Sequence, residues 1–280
     1  MTTLDYLGLD ELIRSALKED VGTGDITTIS CIPEENRSEA YFLAKDNGVI
    51  CGIDIAARVF HLVDERIALI PNMRDGVSVK KGDIIAEVSG PARGILTGER
   101  VALNLMQRLS GTSTATAKAV SEVSGTKAKI CDTRKSTPGL RVLEKYAVRI
   151  GGGHNHRFNL SDGVLIKDNH IAAAGGIAAA IKAARAVVPH VMKIEVETET
   201  LDEVRQAIDA GADVIMLDNM SVKMMTEAVS IIGGRALTEA SGNMGEKDLS
   251  EVAKTGVDYI SIGALTHSVK ALDISLKFKK

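Results

Sequence analysis

The sequence has few of the residues that mark several large protein classes. It contains no tryptophan, and aromatic residues make up only 3% of it, which disfavours a surface that stacks nucleic-acid bases. Its three cysteines form no CxxC pair and leave an odd count, so the sequence predicts neither a disulfide framework nor a structural zinc site. This cysteine usage is typical of a reducing compartment such as the cytoplasm.

Long apolar runs and a strong charge of one sign are also missing. No apolar run approaches the ~18 residues that a membrane span needs, and the first residues lack the basic and apolar regions of a secretory signal. The 34 Lys and Arg residues nearly balance the 37 Asp and Glu residues, which disfavours a polyanion such as nucleic acid as the main partner. We therefore expect a cytoplasmic protein that binds neither membrane nor nucleic acid.

The composition is that of a globular protein with one or two domains. The chain has 280 residues, of which 45% are hydrophobic and 25% are charged. Its 26 glycines include clusters at 151–153, 175–176 and 233–234. Clustered glycines between apolar segments predict tight loops that approach a ligand.

Helix and strand patterns mix over the first hundred residues. Apolar spacing predicts a helix over 9–17 and a buried helix over 99–109. Runs at 40–43 and 48–53 indicate strands, and the 77–88 segment alternates on both sides of a turn like a hairpin. These patterns indicate an α+β domain.

Short apolar runs alternate with alanine-rich helical stretches from about residue 110 onwards. The predicted strands are 129–133, 163–167, 192–197, 213–218, 236–240 and 257–262. This repeat of β-α units is typical of a parallel sheet. Polar or glycine-rich residues follow every strand, and contributions from all the strand ends suit a barrel better than an open sheet.

Cations at strand ends and glycine turns form the densest candidate site. Arg134, Lys135, Arg157 and Lys167 occupy such positions, where guanidinium forks and ammonium groups suit carboxylates and phosphates. We therefore predict an anion-binding site.

A second set of cations follows helical spacing. A spacing of four residues places Arg141, Lys145 and Arg149 on one helix face. We expect this face to be exposed to solvent.

Acidic residues also follow two of the strands. Glu195 and Glu197 share one face of their strand, and Asp218 ends the next strand. Each is a candidate for a simple ion-pair partner, but together they suit sugar hydroxyls or a hard cation such as Mg²⁺. A ligand with phosphates and hydroxyls fits this mixture of charges.

A histidine pair offers a different hypothesis. His154 and His156 form an HxH pattern that is typical of zinc ligands in barrel hydrolases. The surrounding cations oppose a second cation, so a metal-dependent hydrolase is the weaker alternative. Cys131 is expected to be a small buried strand residue rather than a nucleophile.

Several segments together resemble the quinolinate phosphoribosyltransferases, also called carboxylating nicotinate-nucleotide pyrophosphorylases. They include Asp-Thr-Arg-Lys-Ser-Thr-Pro-Gly at 132–139, Gly-Gly-Gly-His-Asn-His-Arg at 151–157 and Leu-Ile-Lys-Asp-Asn-His at 165–170. Further matching segments are 16–27, 98–104, 144–147, 195–197, 215–219, 239–242 and 255–267. The resemblance covers nearly the whole chain.

The resemblance implies a reaction, a fold and an assembly. Quinolinate and phosphoribosyl pyrophosphate (PRPP) would give nicotinate mononucleotide, pyrophosphate and CO₂ with Mg²⁺, a step of NAD biosynthesis. The fold would be α/β, an incomplete (β/α) barrel over 110–266 with an N-terminal α+β sandwich domain over 1–109 that the tail 267–280 rejoins. The assembly would be a homodimer with shared active sites, with a hexamer as the larger alternative.

The resemblance also assigns roles to individual residues. Quinolinate would contact Arg134, His156, Arg157 and Lys167, together with Arg100 from the neighbouring chain. Thr133 would bind substrate, Lys135 and Lys167 would reach both substrates, and Glu197 and Asp218 would hold the ribose hydroxyls and Mg²⁺. Lys135, Lys167, Glu197 and Asp218 would be the catalytic residues. The 5′-phosphate would lie against Ser241, Gly242, Asn243, Gly263 and Ala264, although glycine is the expected residue at 243.

One alternative within the same fold stays open beside the metal-dependent hydrolase. A related phosphoribosyltransferase could act on another pyridine or pyrimidine acid, because only quinolinate requires a clamp for a second carboxylate.

Overall fold

The computed structural model describes residues 8–279. Its α-helices are α1 (Leu9–Val21), α2 (Ile26–Cys31), α3 (Ile53–Val63), α4 (Ala92–Glu122), α5 (Arg141–Ile150), α6 (Asp168–Ala174), α7 (Ile177–Val187), α8 (Leu201–Asp209), α9 (Val222–Ile232), α10 (Leu249–Lys254) and α11 (Ala264–His267). Its strands are β1 (Arg37–Ala44), β2 (Gly48–Val49), β3 (Ala68–Pro71), β4 (Ser78–Val79), β5 (Ile84–Pro91), β6 (Lys129–Cys131), β7 (Val164–Ile166), β8 (Ile194–Thr198), β9 (Val214–Asp218), β10 (Leu237–Ser241), β11 (Tyr259–Ser261) and β12 (Ile274–Phe278). Among these helices, none has both the length and the apolar character that a bilayer span requires.

The described residues form two compact units. The first unit contains residues 8–115, 142–151 and 269–279, and the second contains 116–141 and 152–268. An antiparallel sheet in the order β12-β1-β5-β3 organises the first unit. The C-terminal strand β12 pairs with β1 along its length. Strands from the two ends of the described chain therefore belong to the same sheet.

The predictions of α1, β1 and α4 in the first unit are confirmed, two other predictions are wrong, and α2, α3, β3 and β12 were not predicted. The 77–88 segment is not a hairpin, because β4 pairs with β2 whereas β5 pairs with β1 and β3. The predicted strand over 48–53 is only two residues long, and Ile53 begins α3 instead. Asp75 accepts hydrogen bonds from the backbone N–H groups of Gly52 and Ile53, which satisfies two donors at the start of that helix.

Buried charges connect α4 and α5 within the first unit. Glu144 is fully buried and accepts a hydrogen bond from the Arg108 guanidinium at 2.7 Å. Lys145 is also buried, so the prediction of a solvated cationic face on this helix is wrong at that position. Arg149 is exposed as predicted, while Arg141 donates from Nε to Ser136 Oγ at 2.8 Å.

A six-stranded parallel sheet forms the second unit. The strand order is β6-β11-β10-β9-β8-β7, and no pairing between β6 and β7 closes the ring within the described residues. The predicted incomplete α/β barrel is therefore confirmed. All six strands lie within one or two residues of their predicted positions, because buried parallel strands are nearly continuous apolar runs between helical repeats.

Candidate active site

A cavity of about 450 Å³ lies at the carboxyl ends of the parallel strands in the second unit. Nine of the predicted site residues line it, namely Thr133, Arg134, Lys135, His156, Arg157, Lys167, Glu197, Asp218 and Ser241. Four further lining residues were not predicted, namely Leu165, Met216, Glu239 and Ser261. The strand ends thus bring together cations and acids that are up to about a hundred residues apart in the chain.

Asp132 holds the histidine-containing segment at the end of β6. The chain returns beside this strand at His154, whose carbonyl accepts from the Asp132 backbone N–H at 3.1 Å. The fully buried Asp132 carboxylate then accepts from the His156 backbone N–H at 2.9 Å and from Asn155 Nδ2 at 2.6 Å. These bonds fix the backbone that presents Arg157 to the cavity.

Arg134 and Arg157 concentrate positive charge on one wall of the cavity. Among the described residues, the buried Nε–H of each guanidinium has no hydrogen-bond partner. Arg157 uses Nη1 to donate to the Gly163 carbonyl at 2.8 Å. Burial, followed by the charge of Arg134, lowers the pKa of Arg157. Two partly desolvated guanidinium groups with unused donors are suited to bind carboxylates.

Lys167 and Glu197 bring opposite charges together across the cavity. Lys167 Nζ lies 3.1 Å from Glu197 Oε2, and the Glu197 side chain is only 14% exposed. The Lys167 backbone N–H donates to His170 Nδ1 at 3.0 Å, which holds the start of α6. Lys167 can therefore leave Glu197 and form an ion pair with an anion that enters the cavity.

The segments that follow β9 and end β10 are hydrogen-bonded to each other beside Asp218. Asn219 Nδ2 donates to Asp218 Oδ2 at 2.6 Å, and the Asn219 backbone N–H donates to the Ser241 carbonyl at 3.1 Å. Gly242 has φ +90°, and a Cβ at this position would collide with Asn219 Oδ1. Glycine is thus required at position 242 by both its backbone conformation and its close neighbour.

The predicted phosphate loops lie after β10 and β11. The described cavity does not include Gly242, Asn243, Gly263 or Ala264 in its lining. Asn243 has φ +52°, a left-handed conformation that explains both the expectation of glycine and the tolerance of asparagine.

His267 is a further residue that the sequence analysis did not select. A Cβ placed on Gly263 would lie 3.0 Å from both His267 Nε2 and Lys135 Cδ. Both side chains thus pack closely against the start of α11. Thr266 Oγ1, within the same helix, donates to the Lys135 carbonyl at 2.6 Å. The only sequence signal was the position of His267 shortly after a strand end.

A buried acidic pair lies below the cationic wall. His156 Nε2 is 3.0 Å from Glu195 Oε2 and 3.7 Å from Glu239 Oε1. Burial, with the charge of Glu195 as the next cause, raises the pKa of Glu239 to about 8. The sequence analysis considered Glu195 but missed Glu239, which shares a strand face with Ser241 two residues later.

The HxH hypothesis is not supported by this arrangement. His154 is exposed, and its ring packs edge-on against Tyr259 with centroids 6.4 Å apart. Among the described residues, the group with metal-ligand spacing contains His156, Glu195 and Glu239 but not His154. The two histidines therefore do not act as one ligand pair. Cys131 is buried in β6 as expected.

Glu197 and Asp218 suit Mg²⁺ as oxygen donors on one cavity. Both carboxylates line the same cavity as the cations Arg134, Lys135, Arg157 and Lys167. Protein sites for Mg²⁺ commonly supply one or two carboxylates and leave the other positions to water and substrate phosphates. The residues present therefore fit a metal ion that arrives with a diphosphate.

Arg100 lies on α4 in the first unit, where its side chain is exposed. Its predicted role in a neighbouring chain's site stays a prediction.

Comparisons with known proteins place this site in a family. Models of the N-terminal and C-terminal domains of quinolinate phosphoribosyl transferase match residues 25–110 and 112–277. A probable nicotinate-nucleotide pyrophosphorylase (carboxylating) of Bacillus subtilis is 50% identical over 98% of this chain and 94% of its own length. The chloroplastic enzyme of that name from Arabidopsis thaliana is 46% identical, over 96% of this chain and 82% of its own. A solved nicotinate-nucleotide pyrophosphorylase from Francisella tularensis is 44% identical and has a TM-score of 0.93, covering 97% of this chain and 96% of its own. The chain therefore belongs to the quinolinate phosphoribosyltransferase family.

Proposed function

We propose that this protein transfers the phosphoribosyl group of PRPP to quinolinate and releases CO₂, giving nicotinate mononucleotide and pyrophosphate. The observation that carries the proposal is the pair of half-buried arginines Arg134 and Arg157, each with a buried and unused Nε–H donor. A dicarboxylate needs such a clamp, because desolvated carboxylates require charge-assisted partners.

Quinolinate binds against the cationic wall in this proposal. Arg134 and Arg157 take its carboxylates, His156 forms part of the same wall, and Lys167 completes the positive field. Thr133 and Lys135 lie at the end of β6, and Lys135 reaches toward both substrates.

PRPP occupies the opposite side of the cavity. Glu197 and Asp218 hold the ribose hydroxyls and Mg²⁺, which when bound neutralises the departing pyrophosphate. The 5′-phosphate lies against the loops of Ser241, Gly242, Asn243, Gly263 and Ala264, whose glycines let a phosphate approach the backbone.

The chemistry requires positioning and charge rather than a covalent enzyme intermediate. The cationic wall holds the pyridine nitrogen in line with the anomeric carbon of the ribose. Positive charge that develops on the ribose is stabilised by the carboxylates of Glu197 and Asp218. After transfer, the neighbouring carboxylate departs as CO₂ and leaves its bonding electron pair on the ring carbon, where the positive charge of the quaternised nitrogen stabilises it until a proton is added to that carbon.

We further propose that the protein is a cytoplasmic homodimer, or a hexamer built from such dimers, with Arg100 completing the neighbouring site. In each chain, 1–109 with the tail 267–280 forms the N-terminal domain, and 110–266 forms the catalytic domain. The pairing of β12 with β1 supports the return of the tail to the first domain.

Product analysis tests the proposed reaction. The purified protein is incubated with Mg²⁺, PRPP and quinolinate labelled in the carboxylate next to the ring nitrogen. We expect labelled CO₂ and nicotinate mononucleotide in equal amounts, and no mononucleotide from nicotinate or orotate under the same conditions. Turnover of nicotinate or orotate at a comparable rate would instead support a related phosphoribosyltransferase, and binding of PRPP without products would contradict catalysis.

A further inference from the structure

The ring of His156 is hydrogen-bonded to the protein at both nitrogens. The backbone N–H of Arg157 donates to His156 Nδ1 at 2.7 Å. A neutral imidazole that accepts at Nδ1 carries its hydrogen on Nε2, where Glu195 Oε2 lies at 3.0 Å. The ring orientation is therefore set by Arg157 on one side and by Glu195 on the other.

Two buried carboxyl groups lie beside Nε2 of this ring. Glu195 Oε2 is 3.0 Å from this nitrogen and Glu239 Oε1 is 3.7 Å from it, and within the described part of the chain the Oε1 atom of each carboxyl group has no hydrogen-bond partner. Burial, followed by the charge of Glu195, raises the pKa of Glu239. Glu195 is therefore the acceptor of the Nε2–H, and Glu239 packs beside the same nitrogen.

Other groups around Glu239 contribute less to this pKa shift. Ser261 on β11 contributes a hydroxyl that favours its charged form, and Met216 is its neighbour on β9. His156 is the one cationic candidate that faces it among the causes of its shift. Burial and Glu195 outweigh these contributions.

A metal ion explains the cluster less well than a hydrogen-bonded His156 ring does. One ligand atom from each of His156, Glu195 and Glu239 lies within 4.8 Å of the others, which is compatible with a cation. A metal at Nε2 would need that nitrogen's lone pair while Nδ1 also accepts from Arg157, and the ring would then have to lose both of its hydrogens. The geometry thus favours a hydrogen-bonded cluster.

The cluster also separates two cavities. The substrate cavity and a second cavity of about 290 Å³ both have His156, Arg157 and Glu239 in their linings. A rotation of the His156 ring would therefore break its hydrogen bond with the Arg157 backbone N–H and connect the two cavities.

We propose that Glu195 and Glu239 are positioning residues for quinolinate binding, which hold the His156 ring in place and thereby orient Arg157. This inference rests on the proposed function for its substrate. The His156 ring then forms part of the cavity wall, while its two nitrogens make hydrogen bonds to Arg157 and Glu195.

Kinetics of single variants test the proposal. We expect Glu195→Ala to raise the KM for quinolinate about tenfold or more, because it removes a charged acceptor of a hydrogen bond, and Glu239→Ala to raise it less, because Glu239 only packs beside Nε2. The KM for PRPP should change less than about twofold in both variants, since both residues act through the His156 ring on the quinolinate side. Glu239→Gln, which keeps the size of the side chain, should recover most of the loss, whereas Glu195→Gln, which loses the charge of the acceptor, should recover less. Glu199→Gln, an exposed acid directly after β8, is the matched control.

A double-mutant cycle and a spectroscopic measurement complete the test. If Glu195 acts through His156, the double variant Glu195→Ala/His156→Asn should match His156→Asn alone within about twofold, and additive effects would overturn the proposal. In the unaltered protein, ¹⁵N NMR should show His156 with its hydrogen on Nε2, and a hydrogen on Nδ1 or a Zn²⁺-induced shift of Nε2 would overturn it. Because NMR needs no turnover, failure of the proposed reaction would be seen separately in the product assay.

Discussion

Burial, followed by the charge of Arg134 on the same cavity wall, lowers the pKa of Arg157. Like charges at short range in a partly desolvated wall cost free energy in the absence of a ligand. In the proposed complex, a bound dicarboxylate would remove that cost and use both unpartnered Nε–H donors. The repulsion between these two residues therefore supports the proposed anion site.

Removal of either arginine should reduce quinolinate affinity strongly. Arg134→Ala and Arg157→Ala each remove one partner of a desolvated charge pair, which costs ~2–5 kcal/mol, or roughly 30-fold to several thousand-fold in Kd. Calorimetric titration with quinolinate measures the loss. Arg205→Ala, which alters an exposed arginine on α8, should bind normally. Near-normal quinolinate affinity in both site variants would contradict the assignment.

Removal of the strand-end acids should affect PRPP more than quinolinate. We expect Glu197→Ala and Asp218→Ala to raise the PRPP KM, lower kcat and weaken the response to Mg²⁺, because these carboxylates face the ribose and the metal in the proposed complex. Quinolinate binding without PRPP should fall less. Steady-state kinetics with Mg²⁺ varied provides the measurement. A variant with normal PRPP kinetics would contradict the role proposed for that carboxylate.

Asn243 should tolerate glycine better than alanine. Its φ of +52° is left-handed, a conformation that costs a residue with an ordinary side chain roughly 1–2 kcal/mol. We therefore expect Asn243→Ala to lower the free energy of unfolding by about 1 kcal/mol, and Asn243→Gly to leave it nearly unchanged. Urea denaturation measures both. Asn36→Ala, at an exposed asparagine outside the left-handed region, controls for the loss of an amide, and equal stability of the two Asn243 variants would contradict the argument.

Arg100 provides a test of the shared site. An inactive Arg100→Ala chain and an inactive Lys167→Ala chain, mixed and allowed to exchange subunits, should regain activity, because one site of each heterodimer keeps both residues. Activity of the mixture is compared with that of each variant alone, while mass spectrometry of the assembly follows the exchange. No recovery despite complete exchange would place Arg100 in its own chain's site or outside any site.

Local patterns determined the elements of the second unit and most of its site. The six strands are short apolar runs between helical repeats, so their positions follow from the sequence with errors of one or two residues. Because parallel strands present their carboxyl ends at one edge, the same pattern also brought Arg134, Lys167 and Asp218 together. Resemblance to a family added the roles of these residues, and the family itself is confirmed.

Tertiary structure decided what depends on distant partners. The 77–88 segment has the alternation of a hairpin, yet β4 and β5 join different sheets because their pairing partners lie elsewhere in the chain. Lys145 has the spacing of a solvated helix face but is buried. Nothing in the local sequence distinguishes Glu239 from other acidic residues in strands, and only the fold places Glu195 and His156 beside it. Helix and strand periodicity is encoded by neighbouring residues, whereas burial of a charge and the shift of its pKa depend on groups that only the folded chain brings within a few ångströms.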